Sequence, residues 1–458
     1  MNLNDTIAAI STPIGEGGIS VLRVSGDETF KIVGNIFFKD KIGENRFDIS
    51  RESSHTIHFG YILDNDFLID EVLVSIFKTP NSYTGEDLVE ISTHGGAYIV
   101  QKILSLLLQS GARHAEPGEF TKRAFLNGKI DLSQAEAVAD LIKAKTETAH
   151  LSSIKQLEGS LSEFVKSTRQ DLIDITSLIE LELDFAEEDL EFVKKDELKE
   201  KIQELSSKIE SVLESYITGK MIREGINLVI AGKPNSGKSS LFNYLLKTNR
   251  AIVSTVPGTT RDYIEESLNI KGVLFNLIDT AGLRMSSDEI ESEGIKRSFA
   301  KIDEADLVLY LIDSSEKLKL VDECLNYYKK NFNEDKSLIV FTKIDIVSKE
   351  FNKDGIRVSL YKDDLIERLK VEMIRKVVSE DITKKTGSII LTNMRHKICL
   401  ENVILSLNNA VNSIKQSMSG EYISVDLRNA LNFLGEITGE VTNEDILNNI
   451  FQKFCIGK

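Results

Sequence analysis

A chain of 458 residues is too long for one ordinary hydrophobic core, so two or three domains are expected, and 41% hydrophobic with 28% charged residues is the composition of a soluble globular protein. The net charge of −16, from 56 Lys+Arg against 72 Asp+Glu, repels polyanions at long range, so a nucleic-acid partner would need a local basic patch or a helper protein. Cys324, Cys399 and Cys455 stand far apart with no CxxC pair, the start "MNLNDTIAAI" has neither the basic nor the apolar region of a signal peptide, and no apolar run is long enough to cross a bilayer; a cytoplasmic protein without a disulfide framework or zinc site is expected, with no membrane partner.

Residues 1–120 mix short strand-like runs ("ISVLRVSG", "EVLVSIF", "LVEISTHGG") with one clear helix, "AYIVQKILSLLLQSGA", which ends at Gly111. This reads as an α+β domain. From residue 121 to about 221 the periodicity is helical almost throughout. The acidic stretch within it sets Leu198, Ile202, Leu205, Ile209 and Val212 at helical spacing with charges between them, as on a helix with a solvated outer face. Between about 222 and 380 the texture changes to "INLVIAG", "GVLFNLID", "DLVLYLID" and "SLIVFTK", short apolar runs separated by helical lengths, the pattern of a parallel sheet buried on both faces. Helices return from 381 to 458. The expected architecture is therefore multidomain: an α+β N-terminal domain, then an all-α helical domain in two separated pieces with an α/β domain inserted between them.

The segment "GKPNSGKSS" follows the strand "INLVIAG" and opens the apolar-periodic "SLFNYLL", which is GxxxxGK[ST] in a strand–loop–helix context. Backbone N–H groups of such a loop and the helix N-terminus suit phosphate oxygens, Lys238 suits the β- and γ-phosphates, and Ser239 suits Mg²⁺. Asp279 in "DTAG" has the place of a carboxylate that holds the metal's water shell, and Gly282 that of a backbone N–H sensing the γ-phosphate. Thr260 in "GTTRD" is the natural second Mg²⁺ ligand on a switch loop. In "TKID", Asp345 can accept hydrogen bonds from N1 and N2 of guanine, which adenine cannot supply. Two positions depart from the common form: Thr342 stands where Asn is usual, and Ser359 precedes Leu360 in place of the usual Ser-Ala.

Ras-like GTPases carry a Gln directly after DTAG to orient the attacking water; here that position is Leu283. Asp288, Glu289, Glu291 and Glu293 follow as acidic candidates that sequence chemistry alone does not separate. No arginine finger can be placed either. Asn235 in the P-loop offers an amide oxygen which, with switch-loop carbonyls, suits a monovalent cation held against the phosphates, supplying the charge that an arginine otherwise brings.

Beyond these motifs, "DTIAAISTPIGEGGISVLRVSG", "PNSYTGEDLVEISTHGG", "PGEFTKRAFLNGKIDLSQAEAVADLI" and the closing "LGEITGEVTNEDILNNIFQKFCIGK" make the sequence resemble the MnmE (TrmE) family of tRNA-modification GTPases along essentially its whole length. The resemblance implies an N-terminal tetrahydrofolate-binding and dimerisation domain and an inserted Ras-like P-loop G domain. It implies a potassium-activated GTPase whose G domains pair in a homodimer, with K⁺ surrounded by Asn235, Ser254, Val256 and Thr259, Mg²⁺ held by Ser239 and Thr260, and Glu291 as the catalytic glutamate acting on the water indirectly. The nucleotide contacts it implies run through Asn235, Ser236, Gly237, Lys238, Ser239 and Ser240, then Ser254, Thr255, Val256, Pro257, Gly258, Thr259 and Thr260, then Asp279, Thr280, Ala281 and Gly282, with Lys343 and Asp345 at the base. For a 5-formyl- or methylene-tetrahydrofolate it implies Arg23, Glu90, Lys129 and the terminal Lys458, a carboxylate pairing with the donor edge of a pterin and cations with the folate's carboxylates.

The resemblance further implies a flavin-containing partner, MnmG (GidA), joined in a heterotetramer that carries the FAD and helps place a carboxymethylaminomethyl-type group on C5 of the wobble uridine of certain tRNAs. A local basic cluster, "MRHK" (394–397), offers modest help with tRNA or is an ordinary helix surface. The tail "FCIGK" is expected to reach into a site, with Cys455 either a nucleophile or a small apolar anchor beside Phe454 and Ile456. The competing reading is a regulatory GTPase switch in ribosome assembly, since "GTTRD" and "DTAG" occur there too; it has no need of "NGKIDLSQAEA" or the tail. A third is a GTP-regulated scaffold without a modification role.

Overall fold

The computed structural model describes residues 5–13, 15–184, 195–249, 264–278, 302, 304–347, 351–377, 389–441 and 444–458. The chain forms two compact units, one of Met1–Ala139, Gln156–Ser177 and Leu427–Lys458, the other of Asp140–Lys155 and Leu178–Asp426.

The first unit is built on a seven-stranded sheet of β1 (Ile7–Ile10), β2 (Gly17–Ser25), β3 (Phe37–Phe38), β4 (Thr56–Asp64), β5 (Phe67–Phe77), β6 (Leu88–Gly95) and β7 (Arg113–His114), in the order β3-β4-β5-β6-β2-β1-β7. Its pairs are antiparallel except β1 with β7. Alternation along β5 turns Val72, Val74 and Ile76 inward, onto Val100, Ile103, Leu104 and Leu107 of the helix Ala97–Gln109. That helix ends as its sequence requires, with Gly111 at φ 114°. Ile57, Phe59 and Leu73 stay exposed, with Phe59 and Leu73 directly paired across β4 and β5.

A buried ionic cluster ties the edge of this sheet to the helix Glu119–Leu126. Arg123, 1% exposed, donates from Nη2 to Asp5 Oδ1 at 2.6 Å and to Glu119 Oε1 at 3.1 Å, and from Nη1 to Glu86 Oε2 at 3.2 Å and the Asp5 carbonyl at 2.8 Å. Arg113 closes the ring onto Asp5 and Glu119. Such a cluster tolerates burial because each charge has an opposite partner and several hydrogen bonds. The last helix of the chain, Glu444–Phe451, covers a smaller apolar cluster of Leu132, Ala135, Leu447, Phe451 and Phe454.

The second unit holds a six-stranded sheet of β8 (Ile226–Gly232), β9 (Ile264–Ile270), β10 (Val273–Ile278), β11 (Leu307–Asp313), β12 (Ser337–Thr342) and β13 (Ile356–Arg357), in the order β13-β12-β11-β8-β10-β9 and parallel except for β9. The continuous apolar runs follow from burial on both faces: Leu228, Ile230 and Leu309 pack with Leu241, Leu245 and Leu369 on one side, Val229, Ala231 and Tyr310 with Val321, Cys324 and Tyr328 on the other. Helical segments precede and follow this α/β part in the chain. In the helix Lys195–Glu214 the five apolar residues at helical spacing, Leu198 to Val212, are buried, and it packs on the helix Met394–Lys415. The fold is thus the multidomain one expected: an α+β N-terminal part, a discontinuous all-α part and an inserted Ras-like α/β part. Among the described residues no helix is long and apolar enough to cross a membrane.

Candidate functional site

The glycine-rich loop leaves β8 at Gly232, whose φ of 144° and close approach to β11 both require glycine: a Cβ there would lie 2.4 Å from the Leu311 carbonyl oxygen. Asn235 (φ 63°) and Gly237 (φ 92°) lie in the left-handed region on either side of Ser236. Changes of hand between successive residues turn neighbouring N–H groups toward one side, which is what an anion-binding nest requires. The helix Lys238–Asn249 then begins, with Ser239 and Ser240 exposed in its first turn. Lys238 Nζ donates to the Gly232 and Lys233 carbonyls at 2.9 and 2.8 Å. Burial pushes this ammonium below the ordinary lysine range, so an added phosphate charge would be favoured beside it.

Strand β12 leads to the residues expected at the base. Thr342, buried, donates its hydroxyl to the Ser236 carbonyl at 2.8 Å. Lys343 (φ 57°) reaches Asp313 at the end of β11, Nζ to Oδ2 2.5 Å. Burial alone would raise the Asp313 carboxyl, but hydrogen bonds from Lys343 and Ser315 outweigh it and hold the group below the usual range. Asp345 is exposed in the following turn, Ser359 is buried with its hydroxyl accepting from the Tyr361 N–H, and Leu360 packs against the core. Ser254, Thr255, Val256, Pro257, Gly258, Thr259 and Thr260, and Asp279, Thr280, Ala281, Gly282 and Leu283, lie outside the described residues, as do Glu291 and the other acids Asp288, Glu289 and Glu293.

A second constellation sits in the first unit. The antiparallel register of β2 and β6 sets Arg23 opposite Glu90, and Arg23 Nε and Nη2 both donate to Glu90 Oε1, at 3.0 and 2.6 Å. The rings of Tyr83 and Phe120 flank the guanidinium, 5.0 and 5.6 Å from its carbon. Arg23 Nη1 is buried and has no hydrogen-bond partner among the described residues. The chain terminus comes to this corner. The Gly118 N–H donates to the Cys455 carbonyl at 3.3 Å, Ser11 Oγ donates to the Gly457 carbonyl at 3.1 Å, and Phe454 packs on Phe451. Gly457, at φ 92°, runs so close to β1 that a Cβ would lie 2.3 Å from the Ile10 carbonyl oxygen. Burial pushes the Lys458 ammonium down and Arg23 adds to the shift, while Glu90 and Cys455 oppose it.

The structure therefore gathers Arg23, Glu90 and Lys458, with Cys455 exposed beside them. Lys129 is placed differently: its Nζ donates to the Pro80 carbonyl at 3.0 Å, and it lines an open groove of about 590 Å³ with Phe125, Ile130, Gln134 and Leu447. Sequence reasoning did not single out the aromatic pair Tyr83 and Phe120 or the Arg123 cluster. Both lie in quoted segments, "PNSYTG" and "GEFTKRAF", but neither has a spacing that advertises contact with a residue 60 or more positions away.

Two family models match, "GTP-binding protein TrmE N-terminus" over residues 6–129 and "MnmE helical domain" over residues 132–455. The chain is 46% identical over 469 residues to the tRNA modification GTPase MnmE of Alkaliphilus metalliredigens, and 44% identical over 469 residues to that of Clostridioides difficile, covering the full length of both partners in each case. It is 41% identical over 478 residues to that of Christiangramia forsetii, again at full coverage of both. The chain belongs to the MnmE family of tRNA modification GTPases. As a member it is a GTP-hydrolysing enzyme, with GTP and Mg²⁺ as ligands of its G domain. The TrmE N-terminal match takes in all seven strands of the first sheet, and the MnmE helical match spans both helical stretches with the inserted α/β part. The G domain of the T. maritima FeoB iron transporter is also similar, at 25% identity over 33% of this chain and 98% of that one, with a TM-score of 0.26.

Proposed function

We propose that the protein is a potassium-activated GTPase that works on tRNA with a flavin-containing MnmG (GidA) partner, helping to place a carboxymethylaminomethyl-type group on C5 of the wobble uridine. The observation that carries the potassium reading is Asn235. It is exposed on the P-loop in the left-handed conformation, within the nest that suits phosphate, and its amide oxygen is a neutral donor fit for a monovalent cation. In this reading Ser254, Val256 and Thr259 complete the K⁺ site, Ser239 and Thr260 hold Mg²⁺, and Glu291 acts indirectly on the water that Leu283 cannot orient. Potassium supplies positive charge at the phosphates where no arginine finger is placed.

The Arg23–Glu90–Lys458 corner is proposed for a one-carbon tetrahydrofolate, with Lys129 as a further cation. Supporting it are the unpartnered buried Nη1 of Arg23, the concentration of both Arg23 bonds on a single oxygen of Glu90, and the two rings beside the guanidinium. The FAD stays on the partner. A homodimer through the N-terminal domain is supported by the exposed apolar residues Ile57, Phe59 and Leu73 on one sheet face.

Steady-state GTP hydrolysis in KCl and in NaCl at equal ionic strength tests the carrying observation. Hydrolysis is expected to be much faster in potassium, and Asn235→Ala is expected to abolish the difference. Equal rates of the parent protein in the two salts would remove potassium from the mechanism and favour a simple GTP switch.

A further inference from the structure

Tyr361 belongs to none of the nucleotide motifs, yet at 88% exposure it carries the most open aromatic ring among the described residues. Leu360 before it packs against the core, which turns Tyr361 outward. A ring on a free loop would swing in solvent, but the backbone under this one is held at both ends and in the middle. The Val358 N–H donates to the Phe341 carbonyl on β12 at 2.8 Å, and the Ile344 N–H to the Val358 carbonyl at 3.4 Å, so the loop starts beside the segment that carries Thr342 to Asp345. Ser359 closes a turn, its carbonyl accepting from the Lys362 N–H at 3.2 Å and its hydroxyl from the Tyr361 N–H at 3.2 Å. At the far end Asp363, which opens the helix Asp363–Val377, accepts from the hydroxyl of Tyr244 on the helix Lys238–Asn249.

We propose that Tyr361 holds the nucleotide base by its flat face, stacking on the purine while Asp345 reads the purine's edge. The turn that bears the ring is slung between the strand that leads to Asp345 and the helix that begins at the phosphate loop. A nucleotide with its phosphates in the loop and its base at Asp345 spans that same gap. Lys343, the other side chain expected at the base, has its ammonium committed to Asp313 at 2.5 Å.

Hydrogen bonds to an exposed carboxylate replace equivalent bonds to water, so Asp345 gives choice of base more than affinity. A ring laid on the purine removes one face from water, and such stacking is tolerant of which base is stacked. Affinity for the base and choice of base are thereby divided between two residues. The inference rests on the GTP reading of the phosphate loop.

The test is equilibrium binding of GDP and IDP, which differ only in the exocyclic amino group that Asp345 would recognise. Tyr361→Ala is expected to weaken both nucleotides alike, about tenfold, leaving their ratio as in the parent. Tyr361→Phe keeps the ring and is expected to keep parent affinity. The chain contains no tryptophan, so Tyr361→Trp gives it a single indole at this position. Its emission is expected to be quenched by GDP but not by pyrophosphate, which fills the phosphate loop without bringing a base. Parent-like binding by Tyr361→Ala, an altered GDP:IDP ratio in that variant, a Tyr361→Phe variant as weak as Tyr361→Ala, or an indole emission that bound GDP leaves unchanged would each overturn the inference. Failure of Tyr361→Ala to fold is read from the ligand-free unfolding transition, and in that event the emission of Tyr361→Trp decides. A parent protein that binds neither nucleotide would instead overturn the GTP reading itself.

Discussion

The phosphate loop and the Arg23 corner are built in opposite ways. The loop is almost entirely local: nine consecutive residues set their own turn through left-handed positions at Asn235 and Gly237, and one side chain from β12 completes it. The corner draws on residues 11, 23, 83, 90, 118 and 120 and the last four of the chain. It exists only when β2 and β6 pair in one register and the terminus lies down along β1. A local site survives rearrangement elsewhere as long as its strand and helix form. A convergent site depends on the packing of its whole unit, so its ligand affinity should follow the stability of that unit.

The largest effect expected from this difference falls on the support of the corner. Arg123→Ala would take the buried cation from the cluster, leaving Asp5 and Glu119 to Arg113 alone and Glu86 without this ion pair, at a cost of about 3 kcal/mol, read as a lowered denaturant midpoint for the first unit. The same cluster sets a pH dependence. Burial raises the Asp5 and Glu119 carboxyls, but hydrogen bonds from Arg113 and Arg123 outweigh it and hold both below their usual values. Groups depressed in the folded state contribute stability above their unfolded pKa, about 4 here, and lose it as pH falls through the folded value. Stability of the parent should therefore decline below about pH 4, and Arg123→Ala should flatten that decline in part, since Arg113 still holds both carboxyls. An Arg123→Ala protein with parent stability and parent acid sensitivity would mean that the cluster does not hold the unit together.

Next in size is the loop's own lysine. Lys238→Ala is expected to lower GTP hydrolysis by roughly 10²–10³-fold, as for removal of a donor aimed at developing charge, while leaving the denaturant midpoint of the ligand-free protein near that of the parent. A large loss of stability with unchanged hydrolysis would reverse the contrast between the local and the convergent site.

The same contrast explains what the sequence made legible. The P-loop, the parallel sheet and the break between helical and α/β texture could be read from spacing, because strand–loop–helix geometry and burial on both faces leave periodic marks over a few residues. That Thr342 departs from the common motif was visible, but its grip on Ser236, 106 positions earlier, was not. For the corner, family resemblance named Arg23, Glu90, Lys129 and Lys458, yet no local pattern relates residue 23 to residue 458. Only the register of β2 with β6 and the glycine at 457 turn the first, second and last of these into neighbours, while Lys129 goes to the Pro80 carbonyl.

The smallest expected effect sharpens the corner directly, by separating the charge of the tail from its seat. Lys458→Ala removes the ammonium but keeps Gly457 and the Ser11 contact, so binding of 5-formyl-tetrahydrofolate should weaken about tenfold, the worth of one charge-assisted contact. Gly457→Ala keeps the charge but places a Cβ against the Ile10 carbonyl at a positive φ, so the tail must lift from β1 and carry Lys458 with it. If the corner is convergent, both variants lose comparable folate affinity, because a charge without its seat is as ineffective as a seat without its charge. Retained binding in Gly457→Ala would show that the ammonium reaches the ligand from an undocked tail, and retained binding in both would leave the folate to Arg23, Glu90 and Lys129.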